Sequence, residues 1–196
     1  MDITTIGNKI GDIPVEISYK IIQLFSAGLY SSPNKAFEEL ICNSYDAFAN
    51  TVSVYLPNDL SVDGAFIWVC DNGEGLNETE LKDLWRIGES KKRDSIRDGR
   101  RLQIGRFGIG KLATYILARK LTYISKKENR YILVTMDYDN IHGEKKEIML
   151  DEREVDESAA ERLMSSYLRN YNSGQLEFEL FGDRSEKSWT FSLLTD

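Results

Sequence analysis

The sequence predicts an α+β fold in which helices pack against a mixed, mostly antiparallel sheet. Two observations support this prediction. In the amino-terminal part, apolar residues recur at three- and four-residue spacing over Val15–Leu29 and Ala36–Phe48, as in amphipathic helices. In the remainder, short segments rich in apolar and β-branched residues follow one another closely, and such successive strands usually pair antiparallel.

Each further element follows from local composition. The first two strands flank a turn that contains Pro57 and are expected to form a hairpin. Short helices are predicted at Glu78–Trp85 and Leu112–Leu117, and the charged segment 151–172 is predicted to be a helical insertion against one sheet edge. The predicted strands are Thr51–Leu56, Gly64–Cys70, Leu121–Ser125, Arg130–Tyr138, Glu144–Leu150, Leu176–Leu180 and Ser188–Leu194.

Length and composition favour one globular domain over residues 1–196, with 41% hydrophobic and 29% charged residues. Because the chain starts at Met1 and stops directly after an apolar strand, we expect it to be the amino-terminal part of a larger protein. Cys42 and Cys70 lie in apolar stretches, which favours reduced, buried thiols. The sequence has neither a leader pattern nor a membrane-spanning run, so we expect a cytoplasmic protein without membrane contacts.

The net charge of −7 argues against a broad nucleic-acid-binding surface. The segment Lys91–Arg101 nevertheless concentrates positive charge locally. Either a solvated loop or a binding surface is compatible with this pattern.

The helix Ala36–Phe48 has three polar side chains on one face. Glu39, Asn43 and Asp46 are spaced four and then three residues apart, among apolar neighbours. Polar groups in such surroundings need partners, and a divalent ion with phosphates is one candidate. The alternative is a helix whose exposed face is simply acidic.

A glycine turn, Asp71-Asn-Gly-Glu-Gly75, directly follows the strand Gly64–Cys70. A carboxylate at the end of a strand, beside such a turn, can accept a hydrogen bond from an exocyclic amine. Asx-Gly pairs also occur in ordinary turns, so this motif alone decides nothing.

A second glycine motif, formed by Gly105, Gly108 and Gly110, precedes a predicted helix and is followed by Lys111. This arrangement lets backbone N–H groups approach phosphate oxygens at the positive end of the helix dipole. A Walker loop does not fit, because the spacing differs and Leu112 replaces the hydroxyl residue after the lysine. A dinucleotide fingerprint does not fit either, because its glycines come in the order Gly-x-Gly-x-x-Gly.

Together, the three motifs resemble those of the GHKL ATPases, the family of gyrase B, heat-shock chaperones, histidine kinases and MutL. The matching patterns are Glu-x-x-x-Asn-x-x-Asp-Ala, Asp-x-Gly-x-Gly and Gly-x-x-Gly-x-Gly, and the resemblance covers about residues 14–125. It implies a Bergerat-type two-layer sandwich with helices on one face of the sheet. It also implies that the chain binds ATP with Mg²⁺ and hydrolyses it slowly.

The same resemblance implies residue roles. Glu39 would be the general base that deprotonates the attacking water, Asn43 would hold Mg²⁺, and Asp46 would position both. Asp71 would accept from adenine N6, and Thr190 would supply a hydroxyl near the base, although the family's usual preceding glycine is absent. The other expected nucleotide-binding residues are Gly73, Gly75, Leu76, Ser90, Lys91, Gly105, Arg106, Phe107, Gly108, Ile109, Gly110 and Lys111.

Further expectations concern the larger assembly. Residues 76–104 resemble an ATP lid, whose closure in relatives forms a dimer interface, so we expect an ATP-dependent homodimer of the full-length protein. Asn43–Ala47 and Gly105–Lys111 resemble the prokaryotic MORC, sacsin and chaperone-like branch, which leaves repair, defence and chaperone roles, and a nucleic-acid contact, open. The alternatives are a binding module with vestigial hydrolysis and a protein kinase. The kinase ranks last because His142, the single histidine, follows the motifs.

Overall fold

The computed structural model describes residues 32–85, 104, 110–140, 150–168, 174–182 and 187–195. The predicted helix Val15–Leu29 lies outside these residues, as does all of the predicted strand Glu144–Leu150 except Leu150. Six strands form one sheet in the order β1-β2-β6-β3-β4-β5, and the pairings between described strands are all antiparallel. The strands are β1 (Val52–Tyr55), β2 (Phe66–Asp71), β3 (Lys120–Lys127), β4 (Arg130–Asp137), β5 (Asp151–Val155) and β6 (Trp189–Thr195).

Helices cover this sheet. Helix α1 starts where the Ser32 side chain accepts a hydrogen bond from the Asn34 backbone N–H, with Pro33 at its first position, and it ends before Phe48, whose φ is 60°. Among the described residues, no helix is both long and apolar enough to cross a lipid bilayer. The helices are α1 (Pro33–Asp46), α2 (Glu78–Leu84), α3 (Glu157–Leu168) and α4 (Gly174–Phe181), with 3₁₀ helices at Gly110–Ile116 and Tyr138–Asn140.

The two faces of the sheet bury two different apolar clusters. The site face is defined as the one that carries Ile67, Val69 and Asp71, and α1 and α2 pack on it through Leu40 and Leu81. The back face carries the alternate residues of the same strands. The predicted α+β fold with a mostly antiparallel sheet is thus confirmed, and the helices α1 and α2 lie on one face as expected.

The back face adds a third layer that the sequence analysis did not predict. Trp68, Trp189 and Phe191 present large apolar surfaces there, and each is fully buried beneath α3 and α4. Such surfaces must be removed from water, and a two-layer sandwich would have left them exposed. The expectation of helices on one face only is therefore corrected.

The predicted helical insertion 151–172 is also corrected. Asp151–Val155 is the edge strand β5, paired with β4, and the helix begins only at Glu157. Charged side chains suit an exposed sheet edge as well as they suit a helix, because they discourage further strand pairing. The helix itself packs across the middle of the back face through Ala160, Met164 and Leu168 rather than against an edge.

A second correction concerns Leu176–Leu180, which was predicted to be a strand and lies within helix α4. Leu176 and Leu180 are both buried. Their separation of four residues equals two strand periods and about one helical turn, so the alternation did not distinguish the two structures. The helix predicted at Leu112–Leu117 is present as the 3₁₀ helix Gly110–Ile116.

Candidate functional site

The polar residues of α1 run from the middle of the helix to its carboxyl end, which meets the glycine turn. Glu39 and Asn43 are half-buried, whereas Asp46 is only 5% exposed. One oxygen of the Asp46 carboxylate accepts a hydrogen bond from the backbone N–H of Ile104 at 2.7 Å. This contact ties the residue just before the second glycine motif to the end of α1.

Asp71 ends β2 on the site face and is 7% exposed. Its Oδ2 accepts a hydrogen bond from the Ser44 hydroxyl at 2.9 Å, and its Oδ1 accepts one from the Gly73 N–H at 2.9 Å. Each carboxylate oxygen has a second lone pair, so Asp71 can still accept a hydrogen bond from a ligand. The two contacts fix the direction in which it does so.

Burial raises the pKa of Asp71, although its hydrogen bonds from Gly73 and Ser44 act in the opposite direction. The protonated form is therefore favoured more in the folded chain than in the unfolded chain. The stabilisation that protonated Asp71 provides is present at low pH and is lost as pH rises through the folded-state pKa. An ionised Asp71 is therefore held at a cost to stability, and carboxylates perturbed in this way are typical of functional sites.

The glycine turn is confined by its neighbours at two positions. A Cβ on Gly73 would lie 2.6 Å from the Ala47 carbonyl oxygen. Gly75 has a φ of +63°, and a Cβ there would lie 2.3 Å from the Lys126 carbonyl oxygen. The turn thus needs glycine at both positions, because the end of α1 and strand β3 press directly on its backbone.

Hydroxyl groups hold this turn in place. Ser125 Oγ accepts from the Leu76 N–H at 2.7 Å, and the Ser188 hydroxyl donates to the Gly73 carbonyl at 2.7 Å. These two serines and Ser44 were not expected from the sequence. The only sequence signal for Ser125 was a small polar residue within an apolar strand, and it became informative only once the strands were placed side by side.

The strand register brings Thr190 next to Asp71. Asp71 pairs with Thr190 across β2 and β6, and Thr190 pairs with Ser125 across β6 and β3. Thr190 is 6% exposed and Ser125 is fully buried. Asp71, Thr190 and Ser125 thus form a row of polar residues that runs across the site face.

The first residues of the expected lid are anchored to the sheet. Asn77 and Glu80 form a capping box at the start of α2, and the Lys127 ammonium group of β3 contacts both Glu80 carboxylate oxygens, at 2.7 and 2.8 Å. Gly110 and Lys111 begin the 3₁₀ helix Gly110–Ile116. The remaining predicted ligands lie outside the described residues: Ser90, Lys91, Gly105, Arg106, Phe107, Gly108 and Ile109.

Part of the chain is similar to proteins of known name. The chain is 26% identical over 135 residues to the chaperone protein HtpG of Nocardia farcinica (strain IFM 10152), covering 56% of this chain and 20% of the chaperone. It is 34% identical over 122 residues to a protein of Herpetosiphon aurantiacus named as a type II restriction enzyme, HgiDII, covering 60% of this chain and 19% of that protein. The chain thus spans about a fifth of the length of the curated relatives it matches.

A family profile gives the assignment. Residues 30–172, well over half of the chain, match the family described as histidine kinase-, DNA gyrase B- and HSP90-like ATPase. This segment contains α1, the glycine turn and five of the six strands, β1 to β5. The chain belongs to the histidine kinase-, DNA gyrase B- and HSP90-like ATPase family, which assigns it ATP binding and a general ATPase role.

Proposed function

We propose that this chain binds ATP with Mg²⁺ between α1 and the site face of the sheet, hydrolyses it slowly, and uses the nucleotide to close its lid and dimerise a larger protein. The observation that carries the proposal is the Asp71 carboxylate, buried at a strand end and oriented by Ser44 and Gly73. A buried charge with fixed hydrogen bonds and remaining acceptor capacity requires a polar ligand to offset its cost.

Adenine suits this acceptor. Its exocyclic N6 amine is a hydrogen-bond donor, and Asp71 supplies a charged acceptor in a site with little exposure to water. Gly73 and Gly75 keep the turn free of side chains, so that the base can approach the backbone closely. Thr190, across the strand pair from Asp71, is proposed to contribute a hydroxyl at the same end of the pocket.

The phosphates are proposed to lie toward Glu39 and Asn43, one helical turn apart on α1. Glu39 accepts a proton from the attacking water in this proposal, a role that requires a carboxylate within hydrogen-bond reach of that water. Asp46 holds the N–H of Ile104, the residue that directly precedes the second glycine motif in the sequence. Backbone N–H groups of that motif are proposed to contact the phosphates.

The donor set on α1 fits Mg²⁺. Within the described part of the chain, no group of three or more His, Cys, Asp or Glu side chains is arranged to hold a metal ion by itself. Mg²⁺ is usually held by one or two protein oxygens together with phosphates and waters, and the Asn43 amide oxygen is the proposed protein ligand. Bound there, Mg²⁺ would neutralise developing charge on the phosphates.

Lid closure is proposed for residues 76–104. The Glu80 contacts with Lys127 hold the start of this segment against strand β3. Relatives named as a chaperone and as a restriction enzyme support a role in which ATP switches a larger protein. The motif Asn43–Ala47 supports a MORC- and chaperone-like branch of the family. Lid closure around ATP is then the step that favours homodimerisation of the full-length protein.

The test is a calorimetric titration with a non-hydrolysable ATP analogue, with and without Mg²⁺. We expect Mg²⁺ to tighten binding to the wild type by about tenfold or more and Asn43→Ala to abolish that gain, because one oxygen ligand is lost. Asn34→Ala, an exposed position on the same helix, is the matched control and should behave as the wild type. An undiminished Mg²⁺ effect in Asn43→Ala would refute the proposed metal ligand.

A further inference from the structure

The Tyr123 hydroxyl is a buried polar group without a hydrogen-bond partner in the described part of the chain. Tyr123 is 3% exposed, and its hydroxyl oxygen has no acceptor or donor within reach. Trp85, whose ring meets the Tyr123 ring edge-on at 6.2 Å, has an indole N–H in the same condition. Such groups are rare in folded proteins, and each one requires an explanation.

The strand register places Tyr123 directly below the candidate site. Tyr123 pairs with Ser192, and Ser192 pairs with Val69, so all three lie on the site face in one row. The next row on that face contains Asp71, two residues from Val69 along β2. A tyrosine side chain can bridge the distance between adjacent rows of a sheet.

The residues around Tyr123 also determine the protonation state of its hydroxyl. Burial raises the pKa of Tyr123, and the nearby Tyr138 and Asp71 raise it further. The group is therefore a hydrogen-bond donor throughout the physiological range. The opposing Asp71 is an acceptor, so the two groups offer a ligand one donor and one acceptor on the same face of the sheet.

We propose that the Tyr123 hydroxyl is a specificity-determining group of the nucleotide site, which donates a hydrogen bond to a ring nitrogen of adenine, directly or through one water. This inference rests on the proposed function, since it takes the base to lie against Asp71. The described residues leave this hydroxyl unpaired, and in this proposal the ligand supplies its partner. Trp85, the residue directly after α2, packs its ring edge-on against the Tyr123 ring.

The chemistry of the base matches this pair. Adenine offers an amine donor together with unprotonated ring nitrogens, which are acceptors. The Asp71 carboxylate would accept a hydrogen bond from the amine, and the Tyr123 hydroxyl would donate one to a ring nitrogen. Guanine presents an oxygen where adenine has the amine, and this oxygen would face the Asp71 carboxylate without a hydrogen between them. Asp71 therefore distinguishes the purines at the exocyclic group. Tyr123 adds to this discrimination when its acceptor is N1, which carries a hydrogen in guanine.

The variant Tyr123→Phe tests the proposal, with calorimetric titration of a non-hydrolysable ATP analogue and thermal unfolding of the free protein. We expect the affinity to fall about five- to tenfold, the effect of one neutral hydrogen bond, while the Tm stays equal or rises because no protein contact is lost. Deaza-adenine analogues, each lacking one ring nitrogen, identify the acceptor. One of them should bind the wild type and the variant equally weakly.

Tyr131→Phe is the matched control. The Tyr131 ring also lies on this sheet, but on the back face, and its hydroxyl contacts Glu157 at 2.8 Å. This variant should lower the Tm and leave the affinity unchanged, the reverse of Tyr123→Phe.

The outcomes separate this inference from the proposed function. Unchanged affinity in Tyr123→Phe, in a protein that loses binding on Asp71→Asn, would overturn the role of Tyr123 and leave the proposed site intact. The role of Tyr123 would also be overturned if Tyr123→Phe weakened the binding of every deaza analogue by the same factor as it weakens the binding of the unmodified adenine nucleotide. A folded wild type that binds no adenine nucleotide would contradict both proposals.

Discussion

Replacing Glu39 with alanine is expected to lower ATP turnover by about 10²–10⁴-fold, the usual contribution of a general base. Nucleotide affinity should change by less than about threefold, because Glu39 acts on the attacking water rather than on the bound nucleotide. Its half-buried position on α1, one turn before Asn43, is the basis for this expectation. The measurement is steady-state phosphate release, combined with titration of a non-hydrolysable analogue.

Glu38→Ala is the matched control for this experiment. Glu38 is the exposed neighbour on the same helix and pairs with Lys35 near its start. Its removal should leave turnover unchanged, because surface ion pairs contribute little to stability and this one does not reach the site. Turnover that survives Glu39→Ala would remove Glu39 from the catalytic role. Assembly that is equally ATP-dependent with and without Glu39 would favour a binding module with vestigial hydrolysis.

The largest expected effect on folding comes from Gly75→Ala. The new methyl group would lie 2.3 Å from the Lys126 carbonyl oxygen, and the backbone φ of +63° is unfavourable for alanine. Because the obstacle is backbone rather than a mobile side chain, the strand or the turn must move. We expect the free energy of unfolding to fall by about 3–5 kcal/mol, measured by chemical denaturation.

Gly64→Ala separates the two causes of this loss. Gly64 has a φ of +75° but nothing within 4 Å of an added Cβ, so only the backbone strain applies there. The expected loss of stability is about 1–2 kcal/mol. Equal losses in the two variants would show that the steric confinement of the turn by β3 is not significant.

The sequence predicted those parts of the fold and site that depend on local spacing. Helix α1 with Glu39, Asn43 and Asp46, the hairpin of β1 and β2, and Asp71 at its end were all anticipated, because each depends on residues close together in the chain. The family resemblance named Thr190 and Asp71 for the same adenine site, and the strand register pairs these two residues across β2 and β6.

What the sequence did not reveal depends on contacts distant in the chain. Ser125 and Ser188 acquire their importance only when β3 and β6 lie beside the glycine turn, 49 and 115 residues away from their respective partners. The helix at Leu176 and Leu180 was not recognised because a separation of four residues fits a strand as well as a helix. The sequence also did not show that the back face is covered. Trp68 and Trp189 belong to β2 and β6, and only the strand order shows that their large side chains lie on the same face.

The central claim, that adenine binds at Asp71, is tested most directly by titrating the wild type and Asp71→Asn with non-hydrolysable ATP and GTP analogues. The wild type should prefer the adenine nucleotide by at least about tenfold, and Asp71→Asn should lose about 10–100-fold in adenine affinity, as expected for a hydrogen bond to a charged group. Its Tm at neutral pH should not fall, because a buried charge whose pKa is raised by burial has been removed. Asp71→Asn that binds the ATP analogue as tightly as the wild type, or a wild type that does not distinguish the two nucleotides, would contradict the account.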